Sequence, residues 1–274
     1  MLDVYAGLLK MMDDFQDDGS NVEIKYLLDD DYQELCSAYN LRDIAGDEDD
    51  FGKAVNLLKW ISSNIHHYGD YDNHVKNTAM DLFEYSFGKG SEKGINCSSL
   101  SAALTECLLA IGIKARAVYI MPFSPYDVDN HVVCEAWVES LDKWVMFDPT
   151  YNLYALRNNE PLNVLELRRL LADRKDVVFN NEANYNGNPI DKDEIMEYYA
   201  KDLFYLMVSD IQGSNPDSIS KYIRVAPIGY DAKKSRLANI DYRINKRGES
   251  EHLLNWRKDT EKAKIIYKGL AVLY

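Results

Sequence analysis

The chain has 274 residues, of which 46% are hydrophobic and 28% charged, with 14 glycines and 7 prolines. This length and composition predict one enlarged globular domain and exclude fibrous, low-complexity and disordered proteins. Lys and Arg total 31 against 45 Asp and Glu. The resulting formal charge of −14 disfavours binding to nucleic acid or to an anionic membrane.

Charge is distributed unevenly along the chain. Residues 1–50 carry fifteen acids and three bases, a net charge of −12 (3 − 15). Residues 231–274 carry eleven bases and six acids, a net charge of +5 (11 − 6). Because opposite charges attract, we expect the two ends of the chain to face each other.

Four cysteines are present, Cys36, Cys97, Cys107 and Cys134. They are too few and too irregularly spaced for a disulfide framework, and no Cys-x-x-Cys pair indicates zinc. The N-terminal segment has acids where a signal peptide has bases, and no uncharged apolar run is long enough to cross a bilayer. We therefore expect a cytoplasmic protein with free thiols.

The first part of the chain predicts helices. Apolar residues recur at three- and four-residue steps from Val22 to Tyr39, from Asp50 to Gly69 and around Val75–Phe87. A glycine-rich stretch follows at 88–94, where the backbone can bend sharply or approach a ligand.

The central part predicts one helix followed by antiparallel strands. The helix starts after Asn96 and stops at Gly112. Alternating residues then predict a strand at Lys114–Ile120 and two more at 131–140 and 143–149, with a turn near Leu141 and Asp142. A helix followed by antiparallel strands is typical of the α+β class.

The last part is less regular. We predict helices at Leu162–Leu171 and Glu194–Val208, with an Asn-rich loop at Val177–Pro189 between them. Short apolar runs at Ile240–Ile244 and Ile265–Tyr274 predict late strands that join the sheet.

Three residues of the central part can form a nucleophilic site. Cys97 lies at a helix start, where unpaired N–H groups and the helix macrodipole favour the thiolate that attacks a carbonyl carbon. His131, 34 residues later (131 − 97), opens a strand and can hold and return the proton. Asp148 ends the next strand and can orient the imidazole. The other three cysteines are expected to be small buried hydrophobic residues.

The identity of the carboxylate remains open at this point. In a hairpin with an even-residue turn, positions 131 and 148 share one face of the sheet. A turn centred between Leu141 and Asp142, however, places Asp148 opposite Glu135. Contact between Asp148 and His131 therefore requires a bulge or an earlier turn, and Glu135 competes for the orienting role.

Four short stretches carry a family pattern. They are GINC at 94–97, IGIKARAV at 111–118, NHVVCEAW at 130–137 and KWVMFDPT at 143–150. The first two resemble the nucleophile region of the transglutaminase-like superfamily, in which a cysteine helix runs into a Gly-Ile-x-Ala-Arg-x-Val strand. The last two resemble its histidine strand and its Trp-x-x-x-Asp-Pro-Thr strand. A weaker likeness to flanking helices of bacterial members covers 57–61 with His67, 165–168 and 199–203.

The resemblance implies a papain-like α+β fold, with a nucleophile helix packed on an antiparallel sheet and extra N-terminal helices. It makes Cys97 the nucleophile, His131 the general base and later acid, and Asp148 the orienting carboxylate. The implied reaction is acyl transfer from a peptide or protein amide through a thioester, without a cofactor.

The acceptor of the acyl group stays open. We expect hydrolysis, because the sequence shows neither an amine-acceptor site nor an EF-hand-like calcium loop. The alternatives are amine transfer to protein glutamine, which cross-links, and a binding or scaffold protein that keeps the fold without turnover. The backbone N–H of Cys97 can serve as one oxyanion donor. For the second donor, Trp60, Asn96 and the glycine-rich stretch are candidates.

A group of metal-ligand types occurs at His66, His67, Asp70, Asp72 and His74. Its spacing matches no zinc motif, and adjacent histidines on a helix face different sides. We therefore expect no metal.

The expected organisation is a single transglutaminase-like domain. It consists of an acidic helical extension at 1–50, a catalytic core at 51–210 and a C-terminal segment at 211–274 that adds strands. The loop-like segments 88–95 and 121–130 lead into Cys97 and His131, so we expect them to border the substrate cleft.

Overall fold

A computed structural model describes residues 1–28, 32–213 and 221–274. The predicted helix from Val22 to Tyr39 falls partly on residues 29–31, outside the described residues. The described helices are α1 (Leu2–Met11), α2 (Gln33–Tyr39), α3 (Leu41–Ala45), α4 (Asp50–Asn64), α5 (Ala79–Ser86), α6 (Cys97–Ala110), α7 (Val164–Ala172), α8 (Lys192–Asp202), α9 (Ala232–Arg247) and α10 (Glu251–Lys262).

The described strands are short apart from a few at the centre of the fold. They are β1 (Lys25–Tyr26), β2 (Ala115–Met121), β3 (His131–Val138), β4 (Lys143–Phe147), β5 (Ala155–Arg157), β6 (Glu160–Pro161), β7 (Val178–Phe179), β8 (Asn184–Tyr185), β9 (Asn188–Pro189), β10 (Tyr205–Ser209), β11 (Ile211–Gln212), β12 (Tyr222–Val225) and β13 (Ile266–Tyr267). Six of them form the main sheet, in the order β13-β12-β10-β2-β3-β4. Neighbours in this sheet are antiparallel except the edge pair β12 and β13.

Two hydrophobic clusters cover the two faces of the main sheet. One joins α4, α5 and α6 to Cys134, Ala136 and Phe147 of the hairpin. The other joins α1, α7, α8 and β10 to Val133 and Met146 on the opposite face. The α+β arrangement predicted from the sequence is therefore confirmed.

Helix α6 is the central helix because nearly all of its length is apolar or small. Its residues are buried from Ser99 to Ala110 except one that is half-buried. It packs on β2 and β3, and Ser101 Oγ donates a hydrogen bond to Val132 O at 2.8 Å. Each fully buried leucine of such a helix contributes about 1.5–3 kcal/mol to folding. The predicted start and Gly112 stop are confirmed, since Gly112 adopts a φ of +89° just after the helix.

The β3–β4 hairpin settles the strand register. Val138 pairs with Lys143 and Cys134 with Phe147, so the turn is centred one residue earlier than the sequence predicts. Asp142 closes the turn in the left-handed conformation, with φ of 51°. Continued by one step, this register places Asp148 opposite Val133, diagonal to His131 on the same face.

The two ends of the chain meet, as their charges predict. Asp17 Oδ1 lies 2.8 Å from Lys268 Nζ, and the backbone of Tyr267 donates to the Asp18 carboxylate at 3.1 Å. Gln16 N donates to Ala226 O at 3.0 Å, beside strand β12. The strand predicted near the end of the C-terminal segment corresponds to β13. In the main sheet, β13 is the edge strand and pairs with β12.

Several predicted boundaries in the N-terminal half are wrong. Residues 25–26 form a strand paired with β11, and the helix predicted from Val22 begins only at Gln33. The helix predicted to extend to Gly69 ends at Asn64. Three residues further on, His67 forms a β-bridge with Ile95, which a continued helix would not allow. Helix α5 is shorter than predicted and starts after the Thr78 cap.

Two C-terminal predictions are also wrong. The helix predicted over Glu194–Val208 ends at Asp202, and Tyr205–Ser209 is a central strand between β2 and β12. The strand predicted at Ile240–Ile244 lies inside helix α9. A short apolar run has no period of its own, so its neighbours in the fold decide between helix and strand. No helix among the described residues is long and apolar enough to cross a membrane.

Candidate active site

Cys97 is the first residue of helix α6. Asn96 caps the helix, with its side-chain oxygen accepting from Ser99 N at 3.0 Å. Cys97 is half-buried, and its Sγ lies 4.0 Å from Asn130 O, at the end of the loop that leads into β3. The thiol therefore lies at the positive end of the central helix and next to the start of the histidine strand.

His131 and Asp148 form a buried pair beside this thiol. His131 Nε2 lies 2.6 Å from Asp148 Oδ2, and the two residues are 2% and 0% exposed. The Cys97 side chain is close enough to the imidazole to raise the pKa of His131. Since Nε2 faces Asp148, Nδ1 is the nitrogen left for Cys97. The structure thus brings together the three residues predicted from the sequence.

The Asp148 carboxylate is held by two further donors. Tyr199 Oη donates to Oδ2 at 2.6 Å, and Thr150 N donates to Oδ1 at 2.9 Å. A tight loop in which Asp148 pairs with Leu153 fixes its backbone. Both oxygens therefore have partners, and the carboxylate cannot rotate without breaking hydrogen bonds.

These contacts decide the charge of His131. Burial by itself lowers the pKa of an imidazole, but the charge and hydrogen bond of Asp148 and the nearby Cys97 side chain raise the pKa of His131 well above its usual value. The geometry thus favours an imidazolium, which is the partner that a cysteine thiolate needs.

Aromatic rings surround the imidazole. The ring centroids of Tyr151, Tyr198 and Tyr199 lie 5.8, 5.4 and 6.2 Å from that of His131. The sequence places Tyr199 in the predicted helix Glu194–Val208 and in the stretch 199–203 that resembles a flanking helix, but it does not indicate the contact with Asp148. A tyrosine on a buried helix face gives no signal of which carboxylate it meets.

The segment predicted as an Asn-rich loop contacts His67 and Tyr151. It contains the β8–β9 hairpin, whose turn residue Asn186 accepts from His67 N at 2.8 Å and donates to His67 O at 3.1 Å. Tyr185 of the same hairpin contacts His67 Nδ1 at 3.0 Å and the ring of Tyr151. The adjacent Asn186 and Gly187, both with positive φ, are a hairpin signal that could have been recognised in the sequence.

His67 is held neutral by its surroundings. Its burial, followed by the positive charge of His131, lowers its pKa to about 4. The negative charge of Asp148 acts in the opposite direction with a smaller effect. At neutral pH, His67 is therefore an uncharged hydrogen-bonding group near the ion pair.

Glu135, the competing carboxylate, is committed elsewhere. Its Oε2 accepts from Arg116 Nε and Nη2 at 3.0 and 2.7 Å. Its Oε1 accepts from Val164 N and Tyr274 Oη, each at 2.8 Å. The structure therefore places Asp148, and not Glu135, against His131.

The other cysteines lie away from the imidazole. Cys107 and Cys134 are buried, and burial raises the pKa of Cys134 to about 12 and that of Cys107 well above its usual value. Cys36 is half-buried and contacts Ala110 O at 3.5 Å, at the far end of α6. The expectation of a buried hydrophobic residue is confirmed for the first two, and Cys36 is more exposed than predicted.

Of the candidates for the second oxyanion donor, the Asn96 side chain is already engaged. The side-chain nitrogen of Asn96 donates to Asn73 Oδ1 at 3.0 Å and faces Tyr71 O at 3.4 Å. Trp60 packs within an aromatic cluster with Phe83 and Phe87. The glycine-rich stretch leads into Ile95, which pairs with His67.

Among the histidines and aspartates between residues 66 and 74, which are of types that can bind metals, His67 and His74 have separate partners. His74 contacts Asp72, whereas His67 contacts Tyr185. Within the described residues, no group of three or more His, Cys, Asp or Glu side chains is arranged to hold a metal ion.

A known family model matches the part of the chain that carries these residues. Residues 38–149 match the family model of the Transglutaminase-like superfamily. Over this segment the chain is similar to the transglutaminase-like superfamily. The segment includes Cys97, His131 and Asp148, and the arrangement of α6 on an antiparallel sheet confirms the fold that the resemblance implied.

Among solved structures, the chain is similar to one described as a "Putative Cysteine Protease from Cytophaga hutchinsonii". The two are 19% identical with a TM-score of 0.34, and the match covers 58% of this chain and 51% of that one. The matched region thus spans about half the length of that protein. No curated protein matches the chain.

Proposed function

We propose that the protein is a cysteine-dependent enzyme that takes the acyl group from a peptide or protein amide as a thioester and passes it to water. The observation that carries this proposal is the Asp148–His131 pair, 2.6 Å long and buried, next to a half-buried Cys97 at the start of α6. The match of residues 38–149 to the transglutaminase-like superfamily supports it.

In the first half-reaction, Cys97 attacks the amide carbonyl as a thiolate and the carbonyl oxygen becomes an oxyanion. The backbone N–H of Cys97 belongs to the first turn of α6, where N–H groups have no partner within the helix, so it can donate to that oxyanion. The C–N bond then breaks, and the His131 imidazolium gives its proton to the departing amine. Asp148 keeps the ring oriented throughout.

In the second half-reaction, neutral His131 takes a proton from the acceptor as the acceptor attacks the thioester carbon. The C–S bond breaks, and the enzyme returns to the thiolate–imidazolium pair. Water is the simplest acceptor, because Cys97 is half-exposed and solvent can reach the thioester. The same steps with a primary amine give a cross-link.

The decisive experiment incubates the wild-type protein and Cys97→Ala with a library of glutamine-containing peptides, with and without a primary amine. Products are read by mass spectrometry. We expect Cys97-dependent hydrolysis, either of the glutamine side chain or of the peptide backbone. Cys36→Ala is the matched control, since it removes a half-buried thiol outside the site.

Other outcomes decide between the alternatives. Incorporation of the amine in place of ammonia would make the protein an amine transferase. If no peptide changes in a Cys97-dependent manner, and a thiol-reactive probe labels Cys97 no faster than Cys36, the enzyme proposal fails and a scaffold role replaces it.

A further inference from the structure

Three arginines gather beside the candidate active site, and among the described residues none of them has a carboxylate as a hydrogen-bond or ion-pair partner. Arg236 and Arg243 lie on helix α9, and Arg224 lies on the neighbouring strand β12. Such a group is unexpected in a chain with a formal charge of −14, because acids are available to neutralise it. The basic C-terminal segment thus places positive charge at one particular point of the fold.

Arg236 has the least engaged guanidinium of the three. Its charged group stacks on the ring of Trp256 at 3.7 Å, and within the described part of the chain it has no hydrogen-bond acceptor. Burial, together with the repulsion of Arg243 and Arg224, lowers the pKa of Arg236 to about 10, although Tyr205 opposes this effect. The guanidinium is therefore a cation whose N–H donors are not used by the described part of the chain.

The other two arginines are held by neutral oxygens. Arg243 donates to Asn239 Oδ1 at 2.9 Å and to the carbonyl of Val128, and Arg224 donates to Tyr222 O at 2.9 Å. These contacts fix the side chains while leaving their positive charges in place.

A small cavity lies between two of these arginines and the loop that leads to His131. It has a volume of about 20 Å³ and lies between the loop 121–130 and helix α9, with Asn130, Tyr205, Ser235, Arg236, Asn239 and Arg243 among its lining residues. Asn130 is the residue whose carbonyl oxygen lies 4.0 Å from Cys97 Sγ. Asn130 thus lies between the cavity and the thiol. The cavity has room for about one water-sized group, such as a carboxylate oxygen.

The acids nearest to these arginines do not neutralise them. Asp127 also lines the cavity, but its carboxylate accepts from Asp129 N at 3.0 Å and pairs with Lys201 at 3.1 Å. Asp129 lies 3.6 Å from the same lysine and acts on Arg243 only at a distance. Both acids are thus committed to Lys201, and the arginine group keeps a net positive charge.

We propose that Arg236, with Arg243 beside it, binds a carboxylate of the substrate, so that the enzyme selects peptides with an acidic group close to the acyl donor. This inference rests on the proposed function for its meaning, since the ligand is part of the substrate. A carboxylate fits better than a dianionic phosphate because the cavity is small and Asp127 lies on its wall.

Alkylation of Cys97 tests the proposal without requiring turnover. The probes are iodoacetyl-glycine and iodoacetyl-glycinamide, which differ only in a carboxylate against an amide, with iodoacetyl-β-alanine and its amide as a longer pair. The measured quantity is the ratio of alkylation rates, acid over amide, at Cys97, with Cys36 in the same molecule as an internal reference.

We expect a preference for the acid at Cys97 in the wild-type protein and none at Cys36. Arg236→Gln should lower the ratio at Cys97 about tenfold, as expected for the loss of a charge-assisted hydrogen bond. Arg247→Gln, which changes an exposed arginine on the same helix, is the matched control and should leave the ratio within about twofold of the wild-type value, as is usual for an exposed charge. Arg236→Lys keeps the charge and should retain part of the preference.

The outcomes separate the two proposals. An equal loss in Arg236→Gln and Arg247→Gln, or no loss in either while melting temperatures are unchanged, overturns the carboxylate site. If Arg236→Gln does not fold, the ratios of wild type and Arg236→Lys decide, and a wild-type ratio no higher than that of Cys36 overturns the site. Slow labelling of Cys97 by both probes would instead count against the proposed function.

Discussion

Two buried ion pairs lie on the same face of strand β3, four residues or about 13 Å apart. His131 pairs with Asp148 at the start of the strand, and Glu135 pairs with Arg116 in its middle. Both carboxylates have hydrogen bonds to both oxygens, and in both clusters a tyrosine hydroxyl is one donor. As buried polar networks, the two are nearly equivalent.

They differ in what their cations can do. The Arg116 guanidinium lies 3.9 Å from the ring centroid of Trp144 and 5.2 Å from that of Tyr274. Burial acts to lower the pKa of Arg116, but the negative charge of Glu135 raises that pKa overall. The guanidinium never gives up its proton. His131 can lose a proton and has a thiol beside it. A buried ion pair is therefore suited to catalysis only where its cation titrates next to a nucleophile.

The largest expected effect concerns the His131–Asp148 pair and the Cys97 nucleophile beside it. Cys97→Ala and His131→Ala should each lower kcat by about 10⁵-fold or more, and the double variant should be scarcely worse, because members of one catalytic unit are not additive. Steady-state kinetics on the substrate found in the library experiment provides the measurement. Additive losses would mean that the two residues act separately.

Asp148→Asn and Glu135→Gln compare the two carboxylates directly. Asp148→Asn should lower kcat by about 10⁴-fold, because a neutral amide does not stabilise the charge of the imidazolium. Glu135→Gln should leave kcat per folded molecule unchanged. A reversed result, with the greater loss of turnover in Glu135→Gln, would mean that Glu135 is the orienting carboxylate.

The same two variants should differ in stability in the opposite direction. Glu135→Gln leaves the Arg116 charge buried without a counter-ion and should cost about 3–5 kcal/mol of unfolding free energy. Asp148→Asn should cost less, because His131 can become neutral. Urea unfolding of both proteins at pH 7 measures the difference. Equal losses would contradict this account.

The pH dependence of stability should also separate the pairs. Folding raises the pKa of His131. Protonated His131 therefore contributes fully to the free energy of unfolding below its unfolded pKa of about 6.5, and this contribution is lost as pH rises through its folded pKa. The Arg116 pair does not change in this range. Unfolding free energies of wild type and His131→Gln should therefore converge above neutral pH. A constant gap would show that the raised pKa is wrong.

Tyr199→Phe should have the smallest effect. It removes one hydrogen bond to Asp148 and keeps the ring, so kcat should fall by about tenfold or less. Tyr198→Phe is the matched control on the same helix, since its hydroxyl faces Asp129. The same loss in both variants would indicate a role for the rings and not for the hydrogen bond.

The sequence was most informative where local rules agree. The cap at Asn96, the apolar helix and the alternating strands predicted α6, β2, β3 and β4 because each has a clear period and a stop signal. The motif letters around Cys97, His131 and Asp148 then named the three residues that the structure brings together.

The tertiary structure decided what depends on contacts between distant residues. The turn centred one residue earlier places Asp148 diagonal to His131, and Arg116 and Tyr274 engage Glu135. Strand β10 forms because β2 and β12 pair with it on either side, although its apolar run continues that of α8.

By itself, the sequence determined the class of fold and the likeness to the transglutaminase-like family, because periodicity, caps and motif letters act over a few neighbouring residues. Only the tertiary structure decided which carboxylate meets His131, that the β8–β9 hairpin borders His67, and that Arg236 and Asn130 line one cavity. These facts depend on strand register and on packing between segments far apart in the chain, where a shift of one residue moves every side chain of a strand to the other face.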